Sequence, residues 1–153
     1  MEKILKVINN FFYRFYESGY YGIETNSIEV KGRYVKGQYI RIIGSMLNDG
    51  VYKVDSVIDN MIMLDAELLD EVFKGNICSL AIPKDLIDLE VKVSEFNAKN
   101  KPSAITSESF QGYSYSKATG NNGTPATWQD VFANDLKPYR KMNDSLRNVK
   151  EWK

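Results

Sequence analysis

Between residues 23 and 83 short β-prone runs alternate with turn signals, and this pattern narrows the choice of fold most. Ile28 and Val30, Tyr39 to Ile43, Val51 to Val54, and Met61 to Leu64 are the runs. Lys31-Gly32, Lys36-Gly37, Asn48-Asp49-Gly50 and Asp59-Asn60 separate them. Runs of this length on tight turns predict a small antiparallel sheet or partial barrel, with a hairpin turning at Asn48-Asp49-Gly50. Ile77 to Ile82 reads as a last buried strand, and Cys78 within it reads as a packed thiol rather than a reactive one.

The flanks read differently. Over residues 3–17, Ile4, Ile8, Phe11 and Phe15 fall on one face of a helix, and Ser18-Gly19 supplies a stop. Tyr13, Tyr16, Tyr20 and Tyr21 are more aromatics than one small core absorbs, and tyrosine is common at interfaces. Residues 83–99 fit both periods. Helix is favoured, because Pro83 suits a first turn and Asp85 and Asp88 sit near the positive end of its dipole. Residues 104–117 read as a hairpin turning at Gln111-Gly112, with one aromatic and one hydroxyl face. Thr127 is placed to cap a helix starting at Trp128, with Val131, Phe132, Ala133 and Leu136 as its apolar side and Pro138 ending it. Leu146, Val149 and Trp152 recur every three residues in a polar, basic-leaning end and read as a docking tail.

The expected class is therefore α+β: an N-terminal helix, a small antiparallel β subdomain forming a partial barrel, then helix, hairpin, short helix and extended tail. The corresponding segments are 1–22, 23–82, 83–142 and 143–153, within one compact domain overall.

Composition bounds the chemistry. The 153 residues include no histidine and one cysteine, which removes His-dependent triads, His-ligated metals, an intrachain disulfide and Cys-rich zinc sites. Twenty Lys plus Arg balance twenty Asp plus Glu, so a general phosphate-backbone binder is not expected. No signal-peptide core and no long apolar run are visible, so no membrane is expected. The acids Asp65, Glu67, Asp70 and Glu71 lack the ligand order of a calcium loop and read as a solvated face. Ser107-Glu108 has no visible base, and the glycines at 44 and 120–123 lack phosphate-loop order. Neither a catalytic residue nor a cofactor is expected. Lys31, Arg33, Tyr34, Lys36, Tyr39 and Arg41 interleave charge with aromatics, which leaves open a small barrel that binds single-stranded nucleic acid or a peptide.

A more specific pattern lies in the second half. Pro83 and a helix are followed by Ser107-Glu108-Ser109-Phe110-Gln111-Gly112-Tyr113-Ser114-Tyr115-Ser116, a variable loop, and a short helix closing in Leu136-Lys137-Pro138-Tyr139-Arg140. Residues 83–142 in this order resemble the head–tail connector (adaptor) family of tailed phages, and residues 37–52 resemble a hairpin of small phage structural proteins. The resemblance implies a structural virion protein without enzymatic activity. It would be made in the bacterial cytoplasm and work in the virion neck, as a homo-oligomeric ring, a dodecamer by analogy. Its partners would be the portal protein and other neck or tail proteins, with DNA passing through the lumen unread. The interface residues it implies are Ser107, Glu108, Phe110, Gly112, Tyr113, Tyr115, Tyr139, Arg140, Leu146, Val149 and Trp152. The β segment ahead of the matching part departs from the mainly helical front expected of that family.

Overall fold

The computed structural model describes residues 1–100, 107–110, 113–116 and 126–141, the two short stretches through their backbone. The architecture is α+β and divides into two compact units: Met1–Glu2 with Phe11–Pro83, and Lys3–Asn10 with the chain from Lys84 onward.

The first unit is a closed six-stranded barrel rather than a partial one. Its strands are β1 (Tyr13–Glu24), β2 (Ser27–Glu29), β3 (Tyr39–Ile43), β4 (Gly50–Ile58), β5 (Met61–Leu64) and β6 (Glu71–Leu80). They pair antiparallel around the ring in the order β1-β2-β5-β4-β3-β6. Closure comes from β1 against β6, in register from Tyr13↔Leu80 to Ile23↔Glu71 with a bulge between Tyr13 and Phe15. Alternation sends Tyr21, Ile23, Ile28, Ile40, Ile42, Val54, Ile62, Phe73 and Ile77 into one core. Each fully buried aliphatic side chain there contributes about 1.5–3 kcal/mol relative to exposure. On the outer face of β1, Tyr16 and Tyr20 are 71% and 77% exposed.

The strand begins ten residues earlier than expected, and this corrects the helix placed over residues 3–17. The helix α1 spans only Glu2–Ile8. It stops at Asn9, whose φ of 52° is left-handed. The Asn9 amide donates to the Lys6 carbonyl (3.2 Å) and the Asn10 amide to the Leu5 carbonyl (3.1 Å), which together form a Schellman cap. Ser18-Gly19 lies inside β1 instead of ending a helix. Phe15 and Tyr13 suit a pleated surface, and their pairing with β6 overrides the helical spacing.

The second unit contains α1, α2 (Lys84–Lys99), the hairpin β7 (Ser107–Phe110) and β8 (Tyr113–Ser116), α3 (Trp128–Val131), α4 (Ala133–Leu136) and a 3-10 turn at Lys137–Tyr139. The period-3.6 reading of 83–99 is the one realised: Leu86, Leu89 and Val93 are buried. Thr127 caps α3 in a full capping box with Asp130. Leu136 is the buried member of the apolar side expected there, whereas Val131 is exposed. Phe132 meets Phe96 of α2 edge-on at 6.1 Å between ring centres. None of the helices in the described residues is long and apolar enough to cross a membrane.

Gly75 is the tightest point of the barrel. A Cβ there would lie 2.2 Å from the Ile43 carbonyl oxygen, a backbone atom that cannot swing away. Gly75→Ala should therefore destabilise the chain by about 2–3 kcal/mol in denaturant titration. Gly22→Ala, where nothing lies within 4 Å of the added carbon, should stay within about 0.5 kcal/mol of the wild type.

Burial and the neighbouring Glu17 carboxylate push the Tyr21 phenol up from 10.0 to about 12. The same two causes, with a hydrogen bond to Glu17, push Tyr34 higher still. Because both folded values are raised, the stability these neutral phenols confer is complete below pH 10 and is lost as pH rises beyond it. Alkaline titration followed by phenolate absorbance and circular dichroism should show these two phenols ionising with, or just before, barrel unfolding. Tyr34→Phe should shift that transition to higher pH.

Candidate interaction surfaces

The barrel has two ends, and a half-buried carboxylate organises the loops at each. At one end lie the β1–β2 turn, the β3–β4 loop and the β5–β6 loop. Glu71, the first residue of β6, accepts from the Ser45 hydroxyl, the Met46 amide (2.9 Å), the Leu47 amide (3.3 Å) and the Asn48 side-chain amide (3.0 Å). These hydrogen bonds, the Ser45 one first, hold the Glu71 carboxyl below its ordinary value of 4.5. Asn48, itself buried, bonds Leu69 in both directions at 2.9 Å, and Asn26 accepts from the Leu68 amide at 2.7 Å. Three loops are thereby laced together. The rigid surface they form presents Met46 at 93% exposure, with Leu47, Leu69 and Val72 also exposed.

The acids expected to form a plain solvated face do more than that. Asp65, Glu67 and Asp70 are exposed, but Glu71 is the fastener of the β3–β4 loop. Sequence reasoning missed it because the partners lie 23 to 26 residues away. The available signal was Ser45 and Asn48, two hydrogen-bonding residues in one hairpin loop whose bond to each other, Asn48 amide to Ser45 hydroxyl at 2.6 Å, leaves further capacity for Glu71.

At the opposite end, Glu17 accepts from the amides of Lys31 (3.0 Å) and Gly32 (2.9 Å) and from the Tyr34 hydroxyl (3.3 Å). This pins the β2–β3 loop and turns its side chains apart. Tyr34 is 5% exposed and belongs to the core, while Arg33, Val35 and Lys36 face out. Arg41 lies over the Phe11 ring at 3.8 Å and bonds the Tyr13 hydroxyl. Of the aromatics interleaved with charge between 31 and 41, Tyr34 is inside and Tyr39 is half-buried, and Arg41 is engaged by Phe11 and Tyr13 from outside the segment. An open depression of about 410 Å³ remains at this end, lined by Phe15, Val35 and Leu80 with Arg14, Arg33 and Gln38.

Of the expected interface residues, Ser107, Glu108, Phe110, Tyr113 and Tyr115 fall on the β7–β8 ladder. Its register pairs Ser107 with Ser116, Glu108 with Tyr115, Ser109 with Ser114 and Phe110 with Tyr113. Tyr139 serves its own unit: its hydroxyl donates to Asp85 at 3.1 Å, which raises the phenol above its usual range, and its carbonyl accepts from Asn10. Arg140 is exposed beside it. Gly112, Leu146, Val149 and Trp152 lie outside the described residues.

A second hollow, of about 400 Å³, lies between α2 and α4 and is lined by Asp85, Asp88 and Asp135 with Lys92. Lys84 pairs with Asp88 at 2.5 Å across one helical turn. No group of three or more His, Cys, Asp or Glu side chains among the described residues is placed to hold a metal ion. Cys78 is buried, and burial pushes its thiol up, as a packed rather than reactive cysteine requires.

The Glu71 network makes a directional prediction. The folded value is lowered, so the clamp is complete above pH 4.5 and loosens as pH falls through the lowered folded value. Glu71→Gln should speed amide exchange at Met46 and Leu47 while amides in the β1–β6 ladder stay protected. Acidifying the wild type should reproduce that pattern, and equal protection in both proteins would show that the loop holds itself. Compared with family models, curated proteins and solved structures, the chain finds no match.

Proposed function

We propose that this chain is a structural connector of the tailed-phage head–tail type, assembling as a ring beneath the portal and joining the filled head to the tail. The observation that carries the reading is the β7–β8 hairpin, in which Phe110 pairs with Tyr113 and Glu108 with Tyr115, lying in the chain between two helical segments. It lies in the segment, 83–142, whose sequence resembles that family. A two-stranded hairpin is marginal alone and gains from a partner surface, and aromatic residues on such a ladder are suited to bind one. The barrel adds surfaces of unlike character at its two ends, which a head-to-tail ring needs. The role is assembly rather than catalysis, with no cofactor, and DNA passes without being read. The rival reading, a nucleic-acid-binding barrel, is disfavoured by the burial of Tyr34, since stacking needs an exposed ring.

The test is made in a phage or prophage encoding this chain. Tyr139 and Lys141 are tied into the second unit, the latter donating to the Ile8 carbonyl at 2.9 Å. Truncation should therefore begin after residue 141, so that these bonds survive. Removal of residues 142–153, or Tyr113→Ser with Tyr115→Ser, should leave a folded chain and filled heads that fail to join tails. Infectious titre should fall at least about tenfold, the equivalent of ~1.4 kcal/mol of docking energy. Normal titre from both variants would sink the proposal.

A further inference from the structure

The two ends of the barrel differ in relief and in the charge of their loops. The laced end carries a knob: Met46 at 93% exposure, with Leu47 and Leu69 beside it. The three loops around it, residues 24–27, 44–50 and 65–71, contain six acids and no Lys or Arg. The far end carries a socket, the depression whose apolar walls are Phe15, Val35 and Leu80 and whose rim holds Arg14 and Arg33. The loop above it, residues 30–38, has Lys31, Arg33 and Lys36 and no acid. Acids do occur near that end: Glu17 accepts from the loop amides, Asp55 lies 3.7 Å from Lys36, and Glu29, Asp55 and Asp59 are exposed. The basic character is local to the lining of the hollow, which holds Arg14 and Arg33 and no acid, and to the loop above it.

We infer that the knob of one copy docks in the socket of the next, so that the partner is a second copy of this chain bound head to tail. The occupant follows from complementarity: an acidic rim around exposed methionine and leucine fits a basic rim around an apolar hollow, and both belong to the same barrel. Like ends repel, which disfavours a symmetric dimer through either face. Contact between unlike faces leaves one knob and one socket free at each stage, so growth continues until the rotation between copies closes a ring, or proceeds as a filament where it does not close. The knob is pre-formed by the Glu71 and Asn48 bonds, so docking does not pay to order that loop. This rests on the connector reading for its biological setting, but the contact itself is measurable on the isolated chain.

The experiment is sedimentation velocity on the full chain in low salt, over a range of concentrations. The wild type should associate, and raising ionic strength to about 0.5 M should weaken association, because exposed charge pairs are then screened within a few ångströms. Met46→Lys should remove the knob, and Arg14→Ser with Arg33→Ser should remove the charge of the socket. Each should weaken self-association at least about tenfold. Mixed together, the two variants retain one good knob and one good socket between them and should form a one-to-one dimer that does not grow. A wild type that stays monomeric at its highest soluble concentration overturns the proposal. So do variants that associate like the wild type, or a mixture that fails to pair. If association follows this pattern while loss of the whole chain leaves head–tail joining intact, the connector reading falls and the self-docking contact stands.

Discussion

Closure of the barrel depends on the pairing of its first strand with its last. β1 and β6 run side by side over nearly their full length, and no other pair of strands shares so long a ladder. The contact is remote in sequence, with Tyr13 opposite Leu80, so a long loop must close before the ladder can repay it. Its fit depends on Gly75, which sits opposite Gly19 on one side and beneath Ile43 on the other. The β3 backbone therefore approaches β6 this closely only because Gly75 carries no side chain. The same ladder sets the start of β6 at Glu71 and so places that carboxylate beneath the β3–β4 loop.

Glu17 and Glu71 play matched parts on the two strands of that ladder. Each uses its carboxylate to satisfy backbone amides of a loop at its own end of the barrel, amides that a tight loop cannot pair within itself. A charged acceptor makes stronger bonds than a neutral one, and each carboxylate accepts several at once. The consequence is that loops free of regular secondary structure are held in one shape. Exposed side chains on such loops, Met46 above all, are presented rather than merely left outside. This is the link from strand pairing to a usable surface.

The sequence shows local features well and long-range ones poorly. The strands at 39–43 and 61–64 and the first half of β4, Val51 to Val54, were legible because their runs and turns are adjacent, and so was the Thr127 cap, which needs only the next three residues. The choice of helix for 84–99 rested on Pro83 and the acidic first turn, both local. What failed was β1. Phe11 and Phe15 keep a helical interval with Ile4 and Ile8, and the true stop, Asn9 in a left-handed conformation, is a rarer signal than glycine. Closure of the barrel was hidden for the same reason, since it is a property of β1 meeting β6. Of the expected site, the hairpin was legible from its alternation. The inward turn of Tyr34 was not, because it depends on Glu17, seventeen residues away.

Net charge illustrates the same limit. The whole chain sums to zero, which argues against a binder of polyanions. The sum conceals a local separation: the loops at 24–27, 44–50 and 65–71 hold six acids and no Lys or Arg, while the loop at 30–38 holds Lys31, Arg33 and Lys36 and no acid. A neutral chain with separated charge has no strong attraction for a uniform polyelectrolyte, while unlike charge on two faces favours one orientation of approach over the others. Neutrality also limits repulsion as copies accumulate, which a many-membered assembly needs and a highly charged chain would resist. The feature that first reads as chemical blandness is therefore compatible with strong directionality, provided the two charge clusters are kept apart. The strands between the two sets of loops keep them apart, so the separation is a property of the closed barrel rather than of the composition.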